Sequence, residues 1–221
     1  MLPLRDNVPR RKKPLATALI IVLNLLIYLY QIQLPRRELM LFIREYGLVP
    51  DSFLSAPLNL IYTPLTSMFL HGGLGHLVGN MWILALFGDN VEDRMGKFSF
   101  LLFYLISGLA ASAAHVTFNL GSAIPIIGAS GAIAGVMAAY AFLFPLARVI
   151  TLIPIFFFPY IISLPAMIFM GAWFLIQIYY GTMTLAMGGS FGGIAWWAHI
   201  GGFVFGGIVY RFFLKNKLQY Y

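Results

Sequence analysis

A chain of 221 residues with 61% hydrophobic and only 10% charged side chains cannot clothe a soluble domain, which carries about 25% charged residues. Its formal charge of +7 lies in tails and connections between apolar stretches, which leaves no basic face for nucleic acid. The absence of cysteine excludes disulfides, thiolate metal sites, iron–sulfur clusters and a cysteine nucleophile.

A membrane-crossing helix needs about 20 apolar residues, and six stretches approach that length. The first, Leu15–Leu34, follows Arg10, Arg11, Lys12 and Lys13 and ends at Pro35-Arg36-Arg37. A signal-peptide core is about 7–15 residues long and precedes a small-residue cleavage site. This run is longer and lacks that site, so it reads as a retained helix. The segment Pro35–Leu70 mixes Arg36, Arg37, Glu38, Arg44, Glu45 and Asp51 with Leu39, Leu41, Phe42 and Ile43. It is expected to hold short amphipathic helices at the interface.

The next stretches are Gly73–Gly88, Phe98–Phe118, Ser130–Leu146, Ile161–Tyr180 and Ala195–Leu214. Asp89, Glu92, Asp93 and Arg94 are expected to form a solvated helix end. Pro154, Pro159 and Pro165 interrupt the apolar run from Val149, so Ile153–Tyr160 reads as an interfacial connection. The loop Gly181–Ile194 contains Gly181, Gly188, Gly189, Gly192 and Gly193 and is expected to be mobile. The organisation is therefore a basic tail at 1–14, one membrane domain at 15–214 and a short tail at 215–221.

Lys and Arg counts orient the chain. With the N-terminus inside, Arg5, Arg10, Arg11, Lys12, Lys13, Arg94, Lys97, Arg148, Arg211, Lys215 and Lys217 face the cytoplasm. Only Arg36, Arg37 and Arg44 lie outside. Both termini are expected to be cytoplasmic, and the basic residues to meet anionic headgroups.

Within the spans, polar groups are costly and therefore informative. They are Asn24, His76, Asn80, Ser107, Ser112, His115, Ser130, Gln177 and His199; no Asp or Glu lies in a span interior. The second, fourth and sixth helices run inward, which places His76, Asn80, Ser130 and His199 at similar depth in the outer half of the membrane. His76 and Asn80, four apart, share one helical face. Gly131 and Gly135 form a G-x-x-x-G pair, and His199, Gly202 and Gly206 share a face. Small residues there let the fourth and sixth helices approach closely, setting serine against imidazole.

That juxtaposition suits acyl transfer. Ser130 is the expected nucleophile and His199 its base. Asn80, His76 and the Ser130 backbone N–H are the expected oxyanion donors. Without a carboxylate to orient His199, the machinery is a Ser–His dyad. No H-E-x-x-H appears, and neither a metal nor a cofactor is expected. His71, His115, Trp196 and Trp197 are assigned structural roles, the tryptophans in an interfacial belt. Gln177 faces either the bundle or its flank.

These elements resemble the rhomboid intramembrane serine proteases: His76-Leu77-Val78-Gly79-Asn80, Gly128-Ala129-Ser130-Gly131 and Ala198-His199-Ile200-Gly201-Gly202, in that order. Phe87-Gly88-Asp89-Asn90-Val91-Glu92-Asp93 resembles the family's second-helix end. The likeness covers about residues 62 to 214. It implies an all-α, six-helix polytopic bundle, with the dyad and oxyanion roles just given. It further implies single-pass transmembrane substrates, cut near the outer face after passing the fifth helix. Members often place Tyr or Phe four residues after the serine to support the histidine; this chain has Ala134, with Met137 or Tyr140 as expected substitutes.

A catalytically silent binder of transmembrane segments is the alternative, and retention of Ser130, His199 and Asn80 argues against it. A transporter would show inverted repeats and intramembrane charges, and neither is evident. The N-terminus carries no clear transit peptide, so a prokaryotic cytoplasmic membrane is the expected location.

Overall fold

A computed structural model of the chain describes residues 1–155, 158–187 and 194–215. Strand β1 (Leu2–Asp6) precedes helix α1 (Leu15–Gln31). Short helices α2 (Arg36–Tyr46), α3 (Pro50–Ser55) and α4 (Thr63–Thr66) follow, and a 3-10 turn at Ser67–Phe69 leads to α5 (Leu74–Met95). Then come α6 (Lys97–Phe118), α7 (Ser130–Leu143), strands β2 (Arg148–Ile155) and β3 (Phe158–Pro165), α8 (Ala166–Ala186) and α9 (Trp196–Val209). The glycine-rich residues 188–193 and the tail from residue 216 lie outside the described residues.

Two described helices, α6 and α8, are long and apolar enough to cross a membrane. The Thr63–Phe69 segment and α5, bent by 94° at their junction, together make a third candidate. Helices α1 and α7 are apolar but shorter, at 17 and 14 residues. At the centre sits α7, of which Gly131 to Ala141 is buried without interruption. An unbroken run of small and apolar residues, Ala132, Ala134, Gly135, Ala138 and Ala139 among them, suits a helix enclosed on every side.

The architecture is mostly helical, not all-α as the resemblance implies. Strands β1, β2 and β3 form an antiparallel sheet in that order. The expected connection at Ile153–Tyr160 is part of a hairpin in which Pro154 sits opposite Pro159. Set against each other, the prolines remove donors at a single step of the ladder, so neither strand breaks. Residues Ile161–Pro165 belong to β3, and α8 runs on to Ala186 with Gly181 inside it.

The long segment before α5 bears the expected amphipathic stamp. On α2, Leu39, Phe42, Ile43 and Tyr46 are partly buried on one face, while the other positions are exposed. A bridge between Leu48 and Ile126 ties this segment to the loop before α7.

Glu92 corrects the expectation of a solvated helix end. Its carboxylate is buried and accepts the backbone N–H groups of Ala16 and Thr17, at 2.9 and 2.8 Å, and the Thr17 hydroxyl at 2.8 Å. Helix α1 follows Pro14 and has no side-chain cap of its own. Glu92 caps it from α5, placing negative charge where free N–H groups need it. Nearby, the hydroxyl of Tyr140 and the amide of Asn90 both donate to Asp6 on β1. The Trp82 indole donates to the Pro3 carbonyl at 2.7 Å. Residues 2–6, part of the predicted tail, are thus an integral strand.

Candidate active site

The turn before α7 sets the site. Gly128 has φ +126°, a conformation open to glycine and strained for any L side chain. A Cβ there would stand 2.7 and 2.8 Å from His76 ring atoms and 3.6 Å from Asn80 Nδ2. The turn and two polar groups of α5 therefore converge immediately before Ser130. Serine at a helix start usually caps it; here Ala129 holds the cap position and Ser130 is the first helical residue. Its Oγ lies 2.8 Å from His199 Nε2.

Backbone contact holds α7 and α9 at that spacing. A Cβ on Gly202 would fall 1.9 Å from the Gly131 carbonyl oxygen, and one on Gly206 2.5 Å from the Gly135 Cα. On the α6 side, a Cβ on Gly131 would lie 2.6 Å from Ala111 Cβ, and one on Gly135 2.6 Å from Ser107 Cβ. Any larger side chain at these four positions would part the helices.

Residues outside the expected set complete the cluster. His71 Nε2 lies 2.9 Å from Asn80 Nδ2, and its ring stands edge-on to His76 with centroids 5.0 Å apart. The backbone of His71 is itself held by Gln31, which accepts from its N–H at 3.0 Å and donates to its carbonyl at 3.2 Å. Gln177 of α8 faces the bundle, its Oε1 2.8 Å from His199 Nδ1. The His199 ring lies beside Trp173, at 5.8 Å between centroids and 36°, and edge-on to Trp196 at 6.3 Å and 86°.

Tyr140, one of the two supports expected for His199, stands elsewhere. Tyr140 reaches Asp6, about 15 Å along α7 from Ser130 by helical rise, and Trp173 lies beside the imidazole instead. His115 is buried on α6, its backbone carbonyl accepting from Asn119 Nδ2 at 2.8 Å. Trp197 stacks on Phe118 of α6 and Trp196 on Tyr180 of α8, so both join α9 to neighbouring helices. His76 is exposed, Asn80 is buried, and Ser130 and His199 are half-buried. A small cavity adjoins Ser130, lined by Ser67, Ser112, Ile127, Gly128 and Ala198 among others.

Residues 59–216 match the family model of the Rhomboid domain. The chain belongs to the rhomboid family. This rhomboid protein is 28% identical over 184 residues to "Rhomboid protein 1, mitochondrial" of Saccharomyces cerevisiae, covering 80% of its own length and 48% of that protein. It is 32% identical over 145 residues to the "Presenilin-associated rhomboid-like protein, mitochondrial" of Mus musculus, covering 64% of itself and 35% of that chain. Over 75 residues it is 43% identical to "Rhomboid protease GluP" of Bacillus subtilis, 34% of this chain and 14% of the other. The rhomboid protein thus spans about half or less of each relative's length. It is a membrane protein.

Proposed function

We propose that this rhomboid protein is an intramembrane serine endopeptidase acting through a Ser130–His199 dyad. The observation that carries the reading is the 2.8 Å contact between Ser130 Oγ and His199 Nε2 at the start of α7. In the proposed reaction Oγ attacks the scissile carbonyl carbon while its proton passes to Nε2. The oxyanion accepts hydrogen bonds from the Ser130 N–H, Asn80 Nδ2 and the His76 ring. The imidazolium then protonates the leaving amine, which departs and leaves an acyl ester on Ser130. Water, deprotonated by His199, attacks that ester and regenerates the hydroxyl.

The proposed substrates are single-pass transmembrane proteins, admitted laterally past α8 and cut near the outer face. The proposed topology is six spans with both termini cytoplasmic, supported by the distribution of basic residues. The proposed setting is a prokaryotic cytoplasmic membrane, supported by the likeness to the Bacillus subtilis protein. The names of the yeast and mouse relatives place those proteins in mitochondria, and fractionation of the native source decides between the two.

Purified protein in liposomes, given a panel of transmembrane substrates, tests the reading. Wild type is expected to release product, and Ser130→Ala and His199→Ala to release none. A fluorophosphonate probe is expected to label wild type and not Ser130→Ala. Equal cleavage by Ser130→Ala, or no cleavage by wild type across the panel, overturns it.

A further inference from the structure

The donors and acceptors around His199 can be assigned one after another. The Gln177 amide nitrogen donates to the Trp173 carbonyl one turn earlier, at 3.1 Å. A carbonyl oxygen only accepts, so this bond holds the amide with its nitrogen toward Trp173 and its oxygen toward the imidazole. The amide oxygen likewise only accepts, so the proton in the 2.8 Å contact with His199 sits on Nδ1. A neutral imidazole carries one proton, which leaves Nε2 with its lone pair directed at Ser130 Oγ. The hydroxyl is then the donor, as a general base requires. Gln177 is only 4% exposed, which shields the bond from competing water.

We propose that Gln177 is the positioning residue of the dyad: it selects the Nδ1–H form of His199 and fixes the plane of its ring. The consequence for turnover rests on the protease reading; the protonation pattern does not. When the Ser130 proton passes to Nε2, the imidazolium keeps its Nδ1–H bond to Gln177, and the positive charge faces the negative end of the amide dipole. The Nε2 proton then goes to the leaving amine and the original form returns. An amide does this without bringing a carboxylate into a low-dielectric bundle, where an ionised group is costly.

The test combines nitrogen-15 spectra of histidine-labelled protein with cleavage kinetics. The His199 signals are identified among the four histidines by their loss in His199→Ala. Wild type is expected to show a protonated Nδ1 and an unprotonated Nε2. Gln177→Leu is expected to populate the Nε2–H form and to lower kcat roughly 10- to 100-fold, with KM little changed. Gln177→Glu, which keeps an acceptor at the same reach, is expected to retain the Nδ1–H form and to restore turnover relative to Gln177→Leu. A wild-type His199 protonated on Nε2 overturns the proposal without any variant, even if Gln177→Leu fails to fold. So does a Gln177→Leu protein with wild-type spectra and kcat. If wild type cleaves nothing, the protease reading fails while the spectra still decide the protonation.

Discussion

At Gly128 an added methyl group meets two obstacles, a backbone at φ +126° and the His76 ring less than 3 Å away. Gly128→Ala is expected to destabilise the fold by about 1–3 kcal/mol, and to lower kcat further because His76 must swing away. Unfolding in mixed micelles and cleavage kinetics check the two effects separately. Asn80→Ala removes one of the proposed oxyanion donors and is expected to cost about 10²- to 10³-fold in kcat with KM little changed. His71→Leu leaves Asn80 in place but without its 2.9 Å partner, and is expected to produce a smaller loss in the same parameter. Ser130, His199, Asn80 and His76 stand out in the sequence because a polar group in an apolar span is conspicuous. Gln177 stands out equally, but α8 is apolar on all sides and offers no face by which to aim it. Trp173 is hidden altogether, since one more aromatic in an apolar helix carries no signal.

Among the elements, α1 depends on a residue 75 positions away for its first turn. Glu92→Ala is expected to destabilise the protein by about 0.5–2 kcal/mol, read as a lower unfolding midpoint, with Glu92→Gln less affected because an acceptor remains. The sequence places acidic residues at the end of α5, where water is their usual partner, and nothing local reveals that α1 passes beside them. The β2–β3 hairpin is obscured differently. A run such as Val149–Ile155 is short, apolar and free of period, and so fits a strand or a buried segment equally. Its prolines read as breaks until their partners across the ladder are known. The helical elements are legible because their length and apolarity are local properties; the sheet and the remote cap depend on contacts across the chain.

Across the whole molecule, Asp6 joins the sheet to the helices through Tyr140 and Asn90. Burial pushes its carboxyl above the ordinary value of 3.8, and the hydrogen bonds it accepts offset part of that rise. The folded state therefore holds this proton more tightly than the unfolded chain does. This contribution is greatest below the unfolded value and is lost as pH rises through the folded one. Subtracting the pH–stability curve of Asp6→Asn from that of wild type is expected to leave a difference that falls with pH across this window and is flat above it. A constant difference across acid pH counts against the assignment. The helix contacts make a harder constraint. Gly202→Ala must separate α7 from α9 at the Gly131 carbonyl, and is expected to cost about 1–3 kcal/mol by overpacking and to reduce fluorophosphonate labelling of Ser130.

Serine and histidine sit on two helices locked together by backbone, but the glutamine that arms the histidine sits on a third, α8. If a substrate gains access by displacing α8, the same displacement withdraws Gln177 from His199. Admission and chemistry then form an interlock. While the side of the bundle stands open the base is disarmed, and peptide-bond attack waits until α8 settles back against the captured helix.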